Sequence, residues 1–369
     1  MTYLKYKIII LKLISMKQKT IENLGGGKKR LINIELLRLL AMFMVMIVHA
    51  DYKVFGDPTH QECINNGILA FFRIIIEQAA TVGVNVFVLI SGWFGINYHI
   101  KGIANILFQC LYFSVIGLFV AFIGCSNVSV GNIFRELYLG STLWFVPAYL
   151  GLYILSPVLN VFVERACKKQ FVSLLLIYFS FQILYGWIND AGCFQYGYSI
   201  SSFIGLYLLA RFVSIHRPKY VTYTKGCYLL LFLICAFIPS ALLYITMCTG
   251  GTVSYWLNGK CIAYNSPFCI IGAMSLLIFF SKIEISNNQF IRLLSTSCFA
   301  MYLFHANTFI FDYYKNIIYY LYKEGGQFVG LFYILSFIIA VSLLSVILDK
   351  GRIYLWNRTQ NSLISKCHQ

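Results

Sequence analysis

RLINIELLRLLAMFMVMIVHAD, Arg30 to Asp51, decides how the rest of the chain is read. A bilayer core takes about 20 residues of helix, and this stretch is apolar over that length, yet it carries Glu35, Arg38 and His49. A charged side chain at the centre of a membrane helix costs roughly 2.5–3.5 kcal/mol on insertion scales, so such groups face a polar interior and mark function. Arg38 and His49 are eleven residues apart. At about 100° per residue that is three turns plus roughly 20°, which puts both on one helix face, about 16 Å apart along the axis. Glu35 precedes Arg38 by three residues on the same side, within reach of an ion pair.

The whole chain has the same character. Its 369 residues are 59% hydrophobic and 11% charged, with mean hydropathy +0.74. That much apolar surface does not fit inside a water-soluble fold, and the class is a polytopic, all-α membrane bundle. A net charge of +16 would suggest nucleic acid in a soluble protein. Here it reads as the Lys/Arg excess of cytoplasmic loops, and no nucleic-acid partner is expected. Twelve cysteines lie mostly in apolar runs, without a CxxC pair or clustered histidines. They read as small apolar residues, so neither a disulfide framework nor a metal site is expected.

Residues 1–30 form a basic cytoplasmic leader, too short and too interrupted by lysine to span, with Met16 as an alternative start. Gly25–Gly27 is a flexible lead-in and no phosphate loop, since no strand precedes it. Ten spans follow, at 31–50, 79–97, 101–123, 139–163, 170–188, 199–215, 226–247, 264–281, 296–316 and 327–348. With the N-terminus inside, 22 Lys/Arg fall on cytoplasmic segments and 6 on external ones, an imbalance that puts both termini in the cytoplasm. Residues 349–369 are then a short basic cytoplasmic tail.

Each connection has a plain structural reading beside a functional one. The long external loop from Asp51 to Gln78 is either a solvated loop or part of a lid. Gly83, Ser91, Gly92 and Gly95 let helices approach closely, with Asn85 on the same helix. Trp144 suits an interfacial belt, while Pro147 and Pro157 suggest an irregular, cavity-lining helix. Asn189, Asp190 and Gln195 offer groups for sugar hydroxyls but also suit an ordinary polar loop. Arg211, His216, Arg217, Lys219 and Lys225 are explained by topology and anionic lipid heads, with the phosphates of a nucleotide-bearing donor as a second reading. His305, at membrane depth, either bridges two helices or belongs to a site.

Arg, ten residues, then His in a first membrane helix resembles the opening of the acyltransferase-3 family of integral membrane O-acyltransferases. NIELLRLLAMFMVMIVHA (Asn33–Ala50) carries the resemblance. FVLISGWF (Phe87–Phe94), LWFVPAYLGLYILSPVL (Leu143–Leu159) and STSCFAMYLFHANTF (Ser295–Phe309) extend it in order, over roughly residues 30 to 348. The resemblance implies acetyl-CoA or another acyl-CoA as donor substrate, with no bound cofactor. It implies a hydroxyl of a surface polysaccharide or lipid-linked glycan precursor as acceptor, and a bacterial inner membrane as the location. His49 is then the general base and Arg38, oriented by Glu35, the group that holds an anionic part of the donor. Ser91, Asn85, Trp144 and His305 are secondary candidates. Some members carry a C-terminal hydrolase-like domain, which is not expected in the roughly twenty residues after Leu348. A glycan-precursor flippase is the alternative, because membrane-embedded ionisable groups also line transport paths.

Overall fold

The computed structural model describes residues 31–124, 129–137, 143–250, 257 and 259–367. The leader, Met16 and the glycine run lie outside the described residues. Thirteen helices organise the rest: α1 (Ile32–Phe55), α2 (His60–Asn65), α3 (Gly67–Phe94), α4 (Ile100–Ile123), α5 (Val130–Leu137), α6 (Phe145–Arg165), α7 (Lys168–Phe181), α8 (Ile200–His216), α9 (Lys225–Thr249), α10 (Pro267–Ser281), α11 (Gln289–Ser295), α12 (Cys298–His305) and α13 (Thr308–Cys367). No strand occurs among the described residues.

Seven described helical stretches are long and apolar enough to cross a membrane, and α8 and α10 are apolar but shorter. The chain is therefore a multi-pass membrane protein. At 1.5 Å per residue, a straight helix of 60 residues would measure about 90 Å, three times the hydrocarbon core. α13 instead breaks at Gly326, whose φ of 65° suits a residue without Cβ. The chain turns back there, bringing Gly330 against the backbone of Tyr322 and Leu321.

α3 is the axis of the bundle, packed against α1, α8, α9 and α10, while α1 also meets α11, α12 and α13. Two glycines set those approaches. A Cβ on Gly83 would lie 2.7 Å from the Ala41 carbonyl oxygen of α1, and one on Gly92 would lie 2.5 Å from that of Tyr207 in α8. Small residues work here as spacers between backbones, as the sequence suggests. Leu107, Leu111, Val115 and Phe119 form an exposed apolar stripe on α4, the surface a lipid tail would cover.

Several boundaries differ from the sequence reading, for identifiable reasons. α1 runs to Phe55 and α3 begins at Gly67, so Asp51, Glu77 and Gln78 sit in helices and the connecting loop is short. Asp51 is accommodated because Arg73 Nε donates to its carboxylate at 2.8 Å. α2 fills part of that loop, held by a Thr59/Glu62 capping box. Pro147 falls in the first turn of α6, where its missing N–H leaves no helical bond unmade. The span expected over 296–316 is two helices, α12 and the start of α13, divided at Ala306 and Asn307. Asn307 caps the break by accepting from the Phe309 N–H at 3.0 Å and donating to the Phe113 carbonyl at 3.2 Å. Residues 349–369 do not begin as a free tail. Asp349 is fully buried, accepting from Ser297 Oγ and Arg352 Nε at 2.8 Å each, and Arg352 reaches Asn105 on α4.

Candidate active site

A cavity of about 500 Å³ runs along one face of α1. Arg38, Met42, Val45 and His49 line it, residues at helical spacings of four, three and four that make one continuous stripe. The end of α3 and the turn after it (Ser91, Gly95, Ile96, Asn97) and the α11–α12 junction (Ser295, Thr296) flank the Arg38 end. Trp144 at the start of α6 and Tyr264 before α10 also line it. The expectation that Arg38 and His49 share a face holds in space, and both open on the same volume.

Arg38 is paired as expected: its Nη1 lies 2.5 Å from Glu35 Oε2. The Arg38 side chain is 27% exposed and that of Glu35 only 5%, and Glu35 does not itself line the cavity. Glu35 therefore sets the guanidinium in place, while the remaining donors of Arg38 are left for the cavity.

His49 has a partner that its spacing from Arg38 does not reveal. Its Nδ1 is 2.9 Å from Nε2 of His305, which is fully buried at the last turn of α12. His305 Nδ1 in turn lies 2.6 Å from the Met301 carbonyl oxygen. That oxygen can only accept, so Nδ1 of His305 carries a proton. A neutral imidazole then has a bare Nε2, which accepts the Nδ1–H of His49. His49 Nε2 is left unprotonated, with its lone pair available to the cavity. The direction of this chain is fixed at Met301 by the helical backbone. The edge of Phe311 against the His49 ring, at 5.4 Å between centroids, helps hold the ring's tilt.

The secondary candidates divide. Ser91 lines the cavity, gives its proton to the Phe87 carbonyl at 3.1 Å and so accepts from the Tyr149 hydroxyl at 3.0 Å. Trp144 is in the cavity wall, not merely an interfacial belt residue: its ring stacks on Tyr264 at 5.6 Å and 26° and lies 4.2 Å from that of Tyr198. Asn85 is not in the site. It is fully buried and donates to the Tyr264 carbonyl at 2.8 Å and to Cys269 Sγ at 3.3 Å, joining α3 to the start of α10. Asp190 is taken up by Lys260, 2.5 Å away, and is part of a loop clamp. Phe145, Tyr149 and Tyr153 of the Leu143–Leu159 stretch and Phe299 and Tyr302 of the Ser295–Phe309 stretch, none of them singled out as a candidate, complete an aromatic lining. In a chain with 17% aromatic residues no local signal separates these from packing. Among the described residues no group of His, Cys, Asp and Glu is arranged to hold a metal.

A family model described as an acyltransferase domain, of the acyltransferase-3 type, matches residues 31–349, nearly all of the chain. No curated protein and no solved structure matches it.

Proposed function

We propose, for a chain that belongs to the acyltransferase-3 family of membrane acyltransferases, that it moves an acetyl group from acetyl-CoA to a hydroxyl of a surface polysaccharide or its lipid-linked precursor. The single observation that carries the mechanism is the hydrogen-bond chain from Met301 through His305 to His49, which leaves a bare ring nitrogen in the cavity. In this reading the acceptor hydroxyl attacks the thioester carbonyl while His49 Nε2 removes its proton. The tetrahedral intermediate expels the CoA thiolate, which recovers that proton from His49. General-base assistance of this kind contributes typically 10²–10⁴-fold.

The cavity gives each substrate an end. Arg38 suits an anionic part of the donor, through a fork already oriented by Glu35. The stripe from Arg38 to His49, about 16 Å long, is a path for a thin pantetheine arm. Trp144 and Tyr264, both in the cavity wall, offer aromatic faces for a sugar. The Lys/Arg distribution supports an arrangement with ten crossings, both termini in the cytoplasm, Arg38 toward the inside and Trp144 toward the outside. A bacterial inner membrane is the setting this implies.

The test is acetyl transfer from labelled acetyl-CoA in isolated membranes, normalised to protein level. His49→Ala is expected to insert normally and to lose about 10²-fold or more of the rate. Full activity in that variant would end the assignment of His49 as base.

A further inference from the structure

We propose that Arg211 is a phosphate receptor at the Arg38 end of the cavity, binding a phosphate of the CoA donor. The inference deepens the acyl-CoA reading above and rests on it.

Charge pairing singles this residue out. Arg38 is already matched by Glu35, Arg73 by Asp51 and Arg352 by Asp349. Among the described residues, Arg211 and Arg292 are the two arginines with a buried Nε that meets no acceptor. A guanidinium inside a membrane bundle needs compensating charge. Arg211 packs directly behind a glycine of the cavity wall: a Cβ built on Gly95 would meet its Nη1 at 3.1 Å and its Cζ at 3.2 Å. Gly95 itself lines the cavity and holds φ +77°, a conformation that suits glycine. The absence of a side chain there leaves the guanidinium next to the cavity wall.

The wall beside it is held in place. The Ile96 N–H donates to Tyr207 Oη at 3.2 Å, Tyr207 donates to Asn160 Oδ1 at 2.5 Å, and Asn160 Nδ2 returns to the Ile96 carbonyl at 2.9 Å. Tyr207 is one turn before Arg211 on α8, so the same element fixes both the wall and the cation. No carboxylate among the described residues is paired with Arg211. A planar five-donor fork without an acid partner suits a phosphate oxygen pair better than a thioester or a sugar. An anionic lipid head offers the same chemistry, and the experiment separates the two.

Binding of CoA and of pantetheine, which lacks the phosphates, is measured by calorimetry on the full-length protein in nanodiscs of neutral phosphatidylcholine. The wild type is expected to prefer CoA by about tenfold or more, the range for charge-assisted hydrogen bonds. Arg211→Gln should remove most of that preference with pantetheine binding unchanged, and Arg211→Lys should remove part of it. Lys168→Gln, which deletes an exposed cation at the start of α7, should keep it. If Arg211→Gln unfolds in a melting scan, the Lys variant decides: an undiminished CoA preference there overturns the proposal. So does an undiminished preference in a folded Arg211→Gln, or an equal loss in Lys168→Gln, which would reflect the general field. Loss of phosphatidylglycerol retention in Arg211→Gln with CoA binding intact would assign the cation to lipid instead. A wild type that binds neither CoA nor pantetheine would overturn the acyl-CoA reading itself, and the proposal with it.

Discussion

Replacing His305 tests whether it works through His49 or beside it. Truncation to alanine leaves the Nδ1–H of His49 without the acceptor now 2.9 Å away. An orphaned donor of this kind costs about 1–3 kcal/mol. If that penalty falls on the reacting state, 1.36 kcal/mol per factor of ten makes the rate about 5- to 150-fold lower. The loss should be smaller than that of His49→Ala, because the ring nitrogen that takes the proton is still present. His305→Gln places a carbonyl oxygen that can accept the same proton, and is expected to recover most of the loss. The decisive measurement is the double variant. If His305 acts only by fixing the tautomer and tilt of His49, then His49→Ala with His305→Ala should be no slower than His49→Ala alone. Transfer rates from labelled acetyl-CoA, normalised to folded protein, give all four corners of the cycle. Strictly additive losses would refute the relay from Met301 and give His305 a separate contact with substrate.

Arg38→Lys keeps a charge but loses the fork that Glu35 orients, so donor affinity should fall several-fold while membrane abundance holds; unchanged acetyl-CoA binding would leave an ion pair with no donor role. Gly92→Ala forces a methyl group to 2.5 Å from the Tyr207 carbonyl oxygen and should destabilise by about 1–3 kcal/mol. Gly226→Ala, near the start of α9 with nothing within 4 Å, should be neutral or stabilise by up to about 1 kcal/mol; equal melting points for the two would contradict the packing. Asp349→Asn leaves Arg352 buried without its charge partner and should cost about 3–5 kcal/mol, read as a lower melting point in detergent, whereas a wild-type melting curve would mean that this pair carries no structural weight.

The class of this protein was legible from residues alone because membrane physics is local. A run of about 20 apolar residues must satisfy its own backbone in lipid, and only helix does so here. The shared face of Arg38 and His49 was legible for the same reason, since helical periodicity is a property of spacing. Glu35 was within reach of Arg38 by the three-residue rule, and the pair formed. Helix ends were less legible. Asp51 and Glu77 look like loop residues until Arg73 is seen to neutralise Asp51 from another helix. Asn85 looked like a site residue because no sequence rule says which face of α3 meets α10. His305 is 256 positions from His49, and their contact depends on a helix break at Ala306 that brings the end of α12 beside the last third of α1. Asp349 and Arg352, charged and near the end of the chain, read as tail until Ser297 and Asn105 are seen to receive them. Periodicity fixes what one helix presents, and only packing between helices decides which presented groups meet. His49 found its partner on another helix, and that pairing gives the stripe on α1 a directed imidazole.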